Sequence, residues 1–563
     1  MDTQRLILFF VFSFSLLLLW DAWEKQNRPK PAPVQAQSGA TVPAPAVPPS
    51  KPAAAAPAAP QVPGQPATAP AVVAPQAAAA AAGEKVQIRT DLLLVEIDTA
   101  GATLKRVELL KHKDTIDEKK NFSLLGPEFA YEAQSGIAGE GGPNHRSAWK
   151  LLPGARSLEP GQASLEVRLA AEGRDGLAVE KVYTFRRDSY LIDVAFEIRN
   201  NGAAPASPYA YFQLTHNGKL PAGGDSLAQS FGAQSFFGFA VYTEGKKFQK
   251  VALPDLDKGK PDHVRQAKDG WLAFVQHYFV AGWLPTAGLD RDYAMEKRQD
   301  GSYAARIMLP SAAIAPGAAA KLSAPLYVGP QEQRRLSAAA PGFDLVVDYG
   351  WLTIIAWPLW AVLEFFHQLS GNWGVAIILL TIAIKLVFFP LSAASYKSMA
   401  KMKLITPRLT KIREMYEHDR AKMNQAMMEL YRTEKINPLG GCFPILVQIP
   451  VFIALYWVLL AAIELRHAPF ILWIHDLSAL DPYYVLPVLM TVTMVIQTKL
   501  NPVPPDPVQA KVMLFMPYIF SVFFFFFPAG LVLYWLINNI LSILQQWQIQ
   551  RMFERNKPAH GKR

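Results

Sequence analysis

The chain has one cysteine, Cys442, in 563 residues. No disulfide can form within it, so cysteine usage is silent on the compartment of any soluble part. Charge is scarce as well: Asp, Glu, Lys and Arg make up 18% of the residues, against 51% hydrophobic ones. The sequence has no Walker loop, no HExxH metal helix, no G-x-S-x-G elbow and no dinucleotide fingerprint. His475 and Asp476 are adjacent, but no nucleophile accompanies them. The residues give no case for an enzyme, a metal site or a bound cofactor.

Aromatic residues are missing from residues 29–83, which are mostly Ala and Pro with few charges. Such a stretch cannot bury enough apolar surface to fold. Residues 24–83 are therefore expected to be an extended, disordered linker. Before it, residues 6–20 (LILFFVFSFSLLLLW) are apolar, with Arg5 in front and Asp21 behind. No A-x-A cleavage signal follows directly, and Trp20 and Trp23 suit a membrane interface. Residues 1–23 read as an uncleaved anchor rather than a removed signal.

What is present after the linker changes character twice. Segments such as VQIRTDLLLVEID (86–98), ASLEVRLAA (163–171) and KVYTFRRDSYLIDVAFEIRN (181–200) alternate apolar and polar residues between Gly, Pro, Asn and Asp. That pattern predicts an all-β sandwich over residues 84–345. Residues 346–370, with Trp351, Trp357 and Trp360 but also Glu364 and His367, predict an amphipathic helix in the membrane interface. Residues 371–549 then predict five spans, at about 373–396, 440–462, 483–498, 512–527 and 529–549. With the anchor these make six.

The net charge of +10 is unevenly placed. Residues 21–350 carry 36 basic and 34 acidic residues, so most of the excess flanks the apolar runs. The segment 397–435 has ten Lys/Arg against five Asp/Glu, and the tail 550–563 is basic. Lys and Arg mark cytoplasmic loops, so both belong inside, and the β domain then falls outside. The basic excess favours contact with anionic lipid or RNA. Within 397–435 the helical periodicity splits near Glu417–Asp419, which predicts an αα-hairpin. Two readings of its methionines are open: an adaptable apolar surface, or filling of the hairpin's own seam. Its Lys401, Lys403, Arg408 and Lys411, with Met402 and Met427, are the candidate contacts.

Lys385 stands out. It sits inside WGVAIILLTIAIKLVFFPLSAASY (373–396), with about ten apolar residues on each side. A charge at the centre of a span costs roughly 2.5–3.5 kcal/mol on insertion scales. Snorkelling to the interface is one escape; a wet interior site is the other, and the flanking length favours it. Thr381 lies four residues earlier on the same helical face. Gln448, Gln497, Asn538 and Asn539 interrupt other apolar runs. An anionic-solute transporter or channel could use such a lysine, but no internal repeat is visible. A membrane-anchored binding protein would leave five spans unexplained.

Several stretches in order resemble the YidC/Oxa/Alb family of membrane protein insertases: GNWGVAIILLTIAIK (371–385), NPLGGCFPILVQIPVFIALY (437–456), APFILWIHDLSALDPYYVLPVLM (468–490) and FPAGLVLYWLINN (527–539). The start MDTQR with WDAWE, and the large β domain, resemble the Gram-negative branch. The resemblance implies a β-supersandwich in the periplasm and a five-helix core. It also implies a hydrophilic groove open to the cytoplasm and lipid. In that groove the family's usual arginine is matched by Lys385, and Thr381 and Gln448 match a groove threonine and glutamine; Asn538, at i,i+4 from Tyr534, is a further candidate groove residue. Tyr534 and Trp535 match an aromatic pair beside passing substrate. The implied function is insertion of nascent membrane proteins, alone or with the Sec translocon, by a monomer with both termini in the cytoplasm. Ribosomes and anionic lipids would meet the basic hairpin and tail.

Overall fold

The computed structural model describes residues 83–555, apart from residues 115, 116, 118, 140, 221–235, 435–442 and 502–506. The expected anchor and linker, Cys442 and residues 556–563 of the tail lie outside the described residues.

Residues 85–330 form two antiparallel sheets packed face to face. The first runs β1 (Lys85–Arg89), β2 (Leu93–Asp98), β3 (Thr103–Lys113), β5 (Glu132–Ala138), β10 (Tyr209–His216), β17 (Tyr303–Pro310), β16 (Arg291–Lys297), β13 (Gln266–Ala267), with β4 (Asn121–Leu125) paired to β3. The second runs β12 (Lys247–Ala252), β11 (Gly238–Thr243), β14 (Trp271–Val275), β15 (Phe279–Trp283), β18 (Ala319–Pro330), β9 (Leu191–Asn200), β8 (Leu177–Arg186), β7 (Ser164–Glu172), β6 (Lys150–Leu151). Strict alternation drives this. In β2, Leu93, Val95 and Ile97 turn inward and their neighbours face out. Trp271, Trp283, Tyr131, Phe185 and Phe212 fill the space between the sheets.

Two alternating segments are each folded back on themselves. Residues 86–98 form the hairpin β1–β2. The Thr90 hydroxyl accepts hydrogen bonds from the amides of Leu92 (3.1 Å) and Leu93 (2.9 Å), which turns the chain. Residues 181–200 likewise belong to β8 and β9, reversed around Asp188 at φ 52°.

A short helix α1 (Leu253–Asp257) and α2 (Gln333–Ala339) decorate the sandwich. Then follow α3 (Thr353–Ser370), α4 (Trp373–Val387), α5 (Phe389–Met415), α6 (Arg420–Thr433), α7 (Phe443–Ala461), α8 (Val485–Leu500), α9 (Pro507–Phe524) and α10 (Ala529–Arg555). The apolar run 373–396 is not one straight helix. It breaks at Phe388, and α4 and α5 meet at 66°. Pro390 causes this. It is tolerated in the first turn of α5 but cannot continue α4, because its ring would strike the carbonyl of Leu386. Among the described residues no single helix is long and apolar enough to cross a membrane, and α4 with α5 reach that length as a bent pair. Beyond the break α5 continues to Met415, so the basic hairpin shares its first helix with this pair.

Sandwich and helices are tied together at the end of α7, at the loop after it and at α3. The Arg466 guanidinium donates to the Lys113 carbonyl at 2.6 Å and lies over the rings of Phe122 and Phe279. The His277 Nε2 lies 3.0 Å from the Leu460 carbonyl oxygen, and Arg334 pairs with Glu364 of α3 at 2.5 Å.

Candidate functional site

The site is built on α4, and its start is fixed first. Asn372 caps the helix by accepting the Val375 amide at 3.1 Å, while its own amide donates to the Phe470 carbonyl at 3.0 Å. Phe470 lies so close that a Cβ at Gly374 would come within 2.0 Å of its ring. Glycine is required there by space alone. This anchors α4 to the loop that joins α7 and α8.

Three turns further on, Lys385 points into the helical core and is only 6% exposed. Its Nζ donates to the Ser542 hydroxyl on α10 at 2.7 Å, and that hydroxyl donates to the Asn538 carbonyl at 2.8 Å. The Gln448 amide of α7 donates to the Asn538 side-chain oxygen at 3.2 Å. Lys385, Ser542, Asn538 and Gln448 thus form one polar network joining α4, α7 and α10. Among the described residues no carboxylate pairs with Lys385. Thr381 is fully buried on the same face, but its hydroxyl is spent on the Ile377 carbonyl of its own helix at 2.7 Å. It contributes shape and a polar wall rather than a free donor.

Tyr534 and Trp535 face different ways, as residues 100° apart on a helix do. Tyr534 is buried beside Phe452, with ring centroids 5.2 Å apart, on the face that carries Asn538. Trp535 packs on Phe452 and on Phe524 of α9, with centroids at 3.7 and 5.4 Å. Asn539 follows Trp535's side and donates to the Met490 sulfur of α8 at 3.3 Å.

The sequence reading missed Ser542, the direct partner of Lys385. It also missed Gln545 and Gln546, one turn beyond. A signal was available: positions 534, 538, 542 and 545 follow i, i+4 and i+3 spacing, so the polar stripe of α10 extends past Asn538.

In the basic hairpin, Ile405 and Leu409 are buried in the seam, and Met402, Met427, Leu430 and Tyr431 pack against them. Two of the six methionines therefore fill the seam, while Met415 and Met428 are exposed. Arg408 is paired with Glu434 at 2.6 Å. Lys403 and Lys411 are exposed and Lys401 is half-buried.

Outward-facing residues invert this picture. On α9, Leu514, Phe515, Ile519, Phe520 and Val522 are exposed, whereas Lys385, Asn538, Asn539, Ser542 and Gln546 are buried. Helices apolar outside and polar inside suit lipid, not water, as solvent. The class is thus a helical membrane core with a polar interior, joined to an antiparallel β sandwich.

The chain belongs to the YidC family of bacterial inner-membrane proteins. Residues 365–557 match the family described as 60Kd inner membrane protein, and residues 85–362 match the YidC periplasmic domain. It is 53% identical over 562 residues to a membrane protein insertase YidC of Aromatoleum aromaticum, covering 99% of each chain. It is 51% identical to that of Nitrosospira multiformis, covering 98% of each chain. A crystal structure of an active YidC insertase is 18% identical, with a TM-score of 0.38 over 82% of this chain and 94% of that one.

Proposed function

We propose that this chain is an insertase and chaperone of the bacterial inner membrane, which receives a substrate's polar tail in the interior around Lys385 and releases its apolar segments into lipid. The observation that carries this is Lys385: buried, hydrogen-bonded to a neutral hydroxyl, and without a carboxylate partner among the described residues. Such a cation is costly to keep in an apolar bundle. It serves a protein whose cargo brings the opposite charge or polar groups. Family membership and the relatives' name point the same way.

The physical course follows. Water, Lys385 and the amides of Gln448 and Asn538 lower the cost of burying the tail's polar groups. An acidic residue on the tail gains attraction to Lys385. The apolar segment passes the Tyr534–Trp535 edge of α10 and leaves into lipid, driven by apolar burial at about 25 cal/mol/Å². No nucleotide or other cofactor takes part. The β domain lies in the periplasm and both termini in the cytoplasm, with residues 1–23 as a further anchor. The basic hairpin and tail meet ribosomes and anionic lipids. The chain works as a monomer, alone or beside the Sec translocon.

The test is insertion into proteoliposomes of single-span substrates with acidic or neutral tails. Lys385→Arg keeps the charge and retains activity. Lys385→Ala removes a charge-assisted contact of about 1.5–3 kcal/mol, so the acidic tail inserts roughly tenfold or more slowly. The neutral tail is affected much less. Equal loss on both tails contradicts the electrostatic role.

A further inference from the structure

The polar network around Lys385 has a buried polar group with unused hydrogen-bonding capacity beyond each of its ends. At one end the buried Tyr534 hydroxyl has the Gln448 amide beside it as a donor, but no acceptor for its own proton among the described residues. At the other, the side-chain oxygen of Gln545 is buried without a hydrogen-bond partner among the described residues. Buried hydrogen-bonding capacity left unused is costly, so each is a place where a partner belongs. Both lie on one face of α10. At 100° per residue, positions 534, 538, 542 and 545 fall within about 80° of each other. The Gln546 side-chain oxygen is buried and unpaired as well, but that residue is turned off this face toward α8, where its amide donates to the Asn501 side chain at 3.1 Å.

The spacing has a meaning. Eleven residues of helix separate the Tyr534 and Gln545 groups by ~16 Å. An extended polypeptide covers that distance in about five residues. One end offers a hydroxyl and the other a carbonyl-type acceptor. These are the complements of peptide C=O and N–H groups, which every polypeptide carries whatever its side chains. Between them stand the Lys385 ammonium and the Asn538 and Gln448 amides.

Resting on the insertase reading above, we propose that the interior holds a substrate tail by its peptide backbone. It binds an extended segment of about five residues along α10, with the Gln545 side-chain oxygen accepting a backbone N–H and the Tyr534 hydroxyl meeting a backbone carbonyl. Side-chain charge then adds to, and does not replace, this grip. A backbone track grips a tail whatever its side chains.

The test uses the purified full chain in proteoliposomes and two synthetic single-span peptides. Their tails carry the same side chains, one on an ordinary amide backbone and the other with backbone esters, which lack the N–H donors. Gln545→Leu removes the acceptor. The expected result is a roughly two- to tenfold slower insertion of the amide tail, the worth of one hydrogen bond, with the ester tail unchanged. Equal slowing of both tails would show that Gln545 only supports packing and would overturn the proposal. So would no slowing of either, which would mean that water satisfies the oxygen. If the unaltered protein inserts neither peptide, the insertase reading itself fails and the track falls with it.

Discussion

Lys181 and Lys385 are both buried, yet their surroundings assign them opposite tasks. Lys181 on β8 is fully buried and donates to the carbonyls of Ala102 (2.6 Å) and Ser135 (3.2 Å) on the facing sheet, among the rings of Trp149, Tyr183 and Phe196. Two fixed carbonyls and three rings leave it nothing to do but join the sheets. Lys385 touches one hydroxyl that can turn away. Burial pushes the Lys181 amine well below its ordinary 10.5. The unfolded chain then binds more protons than the folded one below that value. Stability of the sandwich therefore rises with pH toward 10.5, and is lost as pH falls toward the folded value. Lys181→Met removes the titrating amine together with its hydrogen bonds to two buried carbonyls. It is expected to flatten that slope and to cost the sandwich about 1–3 kcal/mol for the acceptors that lose a donor. Pulse proteolysis of the full chain in denaturant, between pH 7 and 10, measures both. An unchanged slope would contradict the assignment. Lys385 was legible in the sequence because a charge in an apolar run has no ordinary explanation. Lys181 was not: a lysine in KVYTFRRD normally faces water, and its inward turn depends on strands distant in sequence.

At the scale of elements, the basic hairpin is held by a small seam of Ile405 and Leu409, with Met402 and Met427 packed beside them. So small an apolar core gives a hairpin that opens and moves more readily than the bundle. Its exposed lysines make contacts that salt screens. Ribosome cosedimentation is therefore expected to weaken several-fold between low and high ionic strength, and again when Lys401, Lys403, Arg408 and Lys411 are neutralised together. Arg408 should contribute least, because Glu434 already holds it. Binding that ignores both salt and these substitutions would make the hairpin purely structural. Periodicity revealed the hairpin's two helices and their parting near residue 417, since a seam leaves an i, i+3, i+4 stripe. It did not reveal the break at Phe388. Pro390 was in plain view, but hydropathy treats a bent apolar run and a straight one alike. The turns within residues 86–98 and 181–200 are hard to read for a related reason. Alternation continues across a tight turn, and only Thr90 and Asp188 mark the reversals.

For the whole molecule, the sandwich and the helices share the joint at Arg466, and the loop carrying Arg466 also holds Phe470 against Gly374 at the head of α4. One continuous set of contacts thus runs from the sheets to the helix that bears Lys385. The class of the molecule could be read from its composition, because apolar runs and alternating segments obey simple periods. The polar interior could be read only in part, since Ser542 and Gln545 acquire meaning from neighbours on α4 and α7. The central claim is that a substrate passes along the polar face of α10 and not around the helix at random. Photocrosslinkers placed one at a time at positions 534 and 543 of the full chain test it most directly during insertion of a nascent single-span protein. Position 543 lies about 180° from 534 on the same helix. Strong capture from 534 and weak capture from 543 are expected; equal capture from both would contradict a defined path along α10.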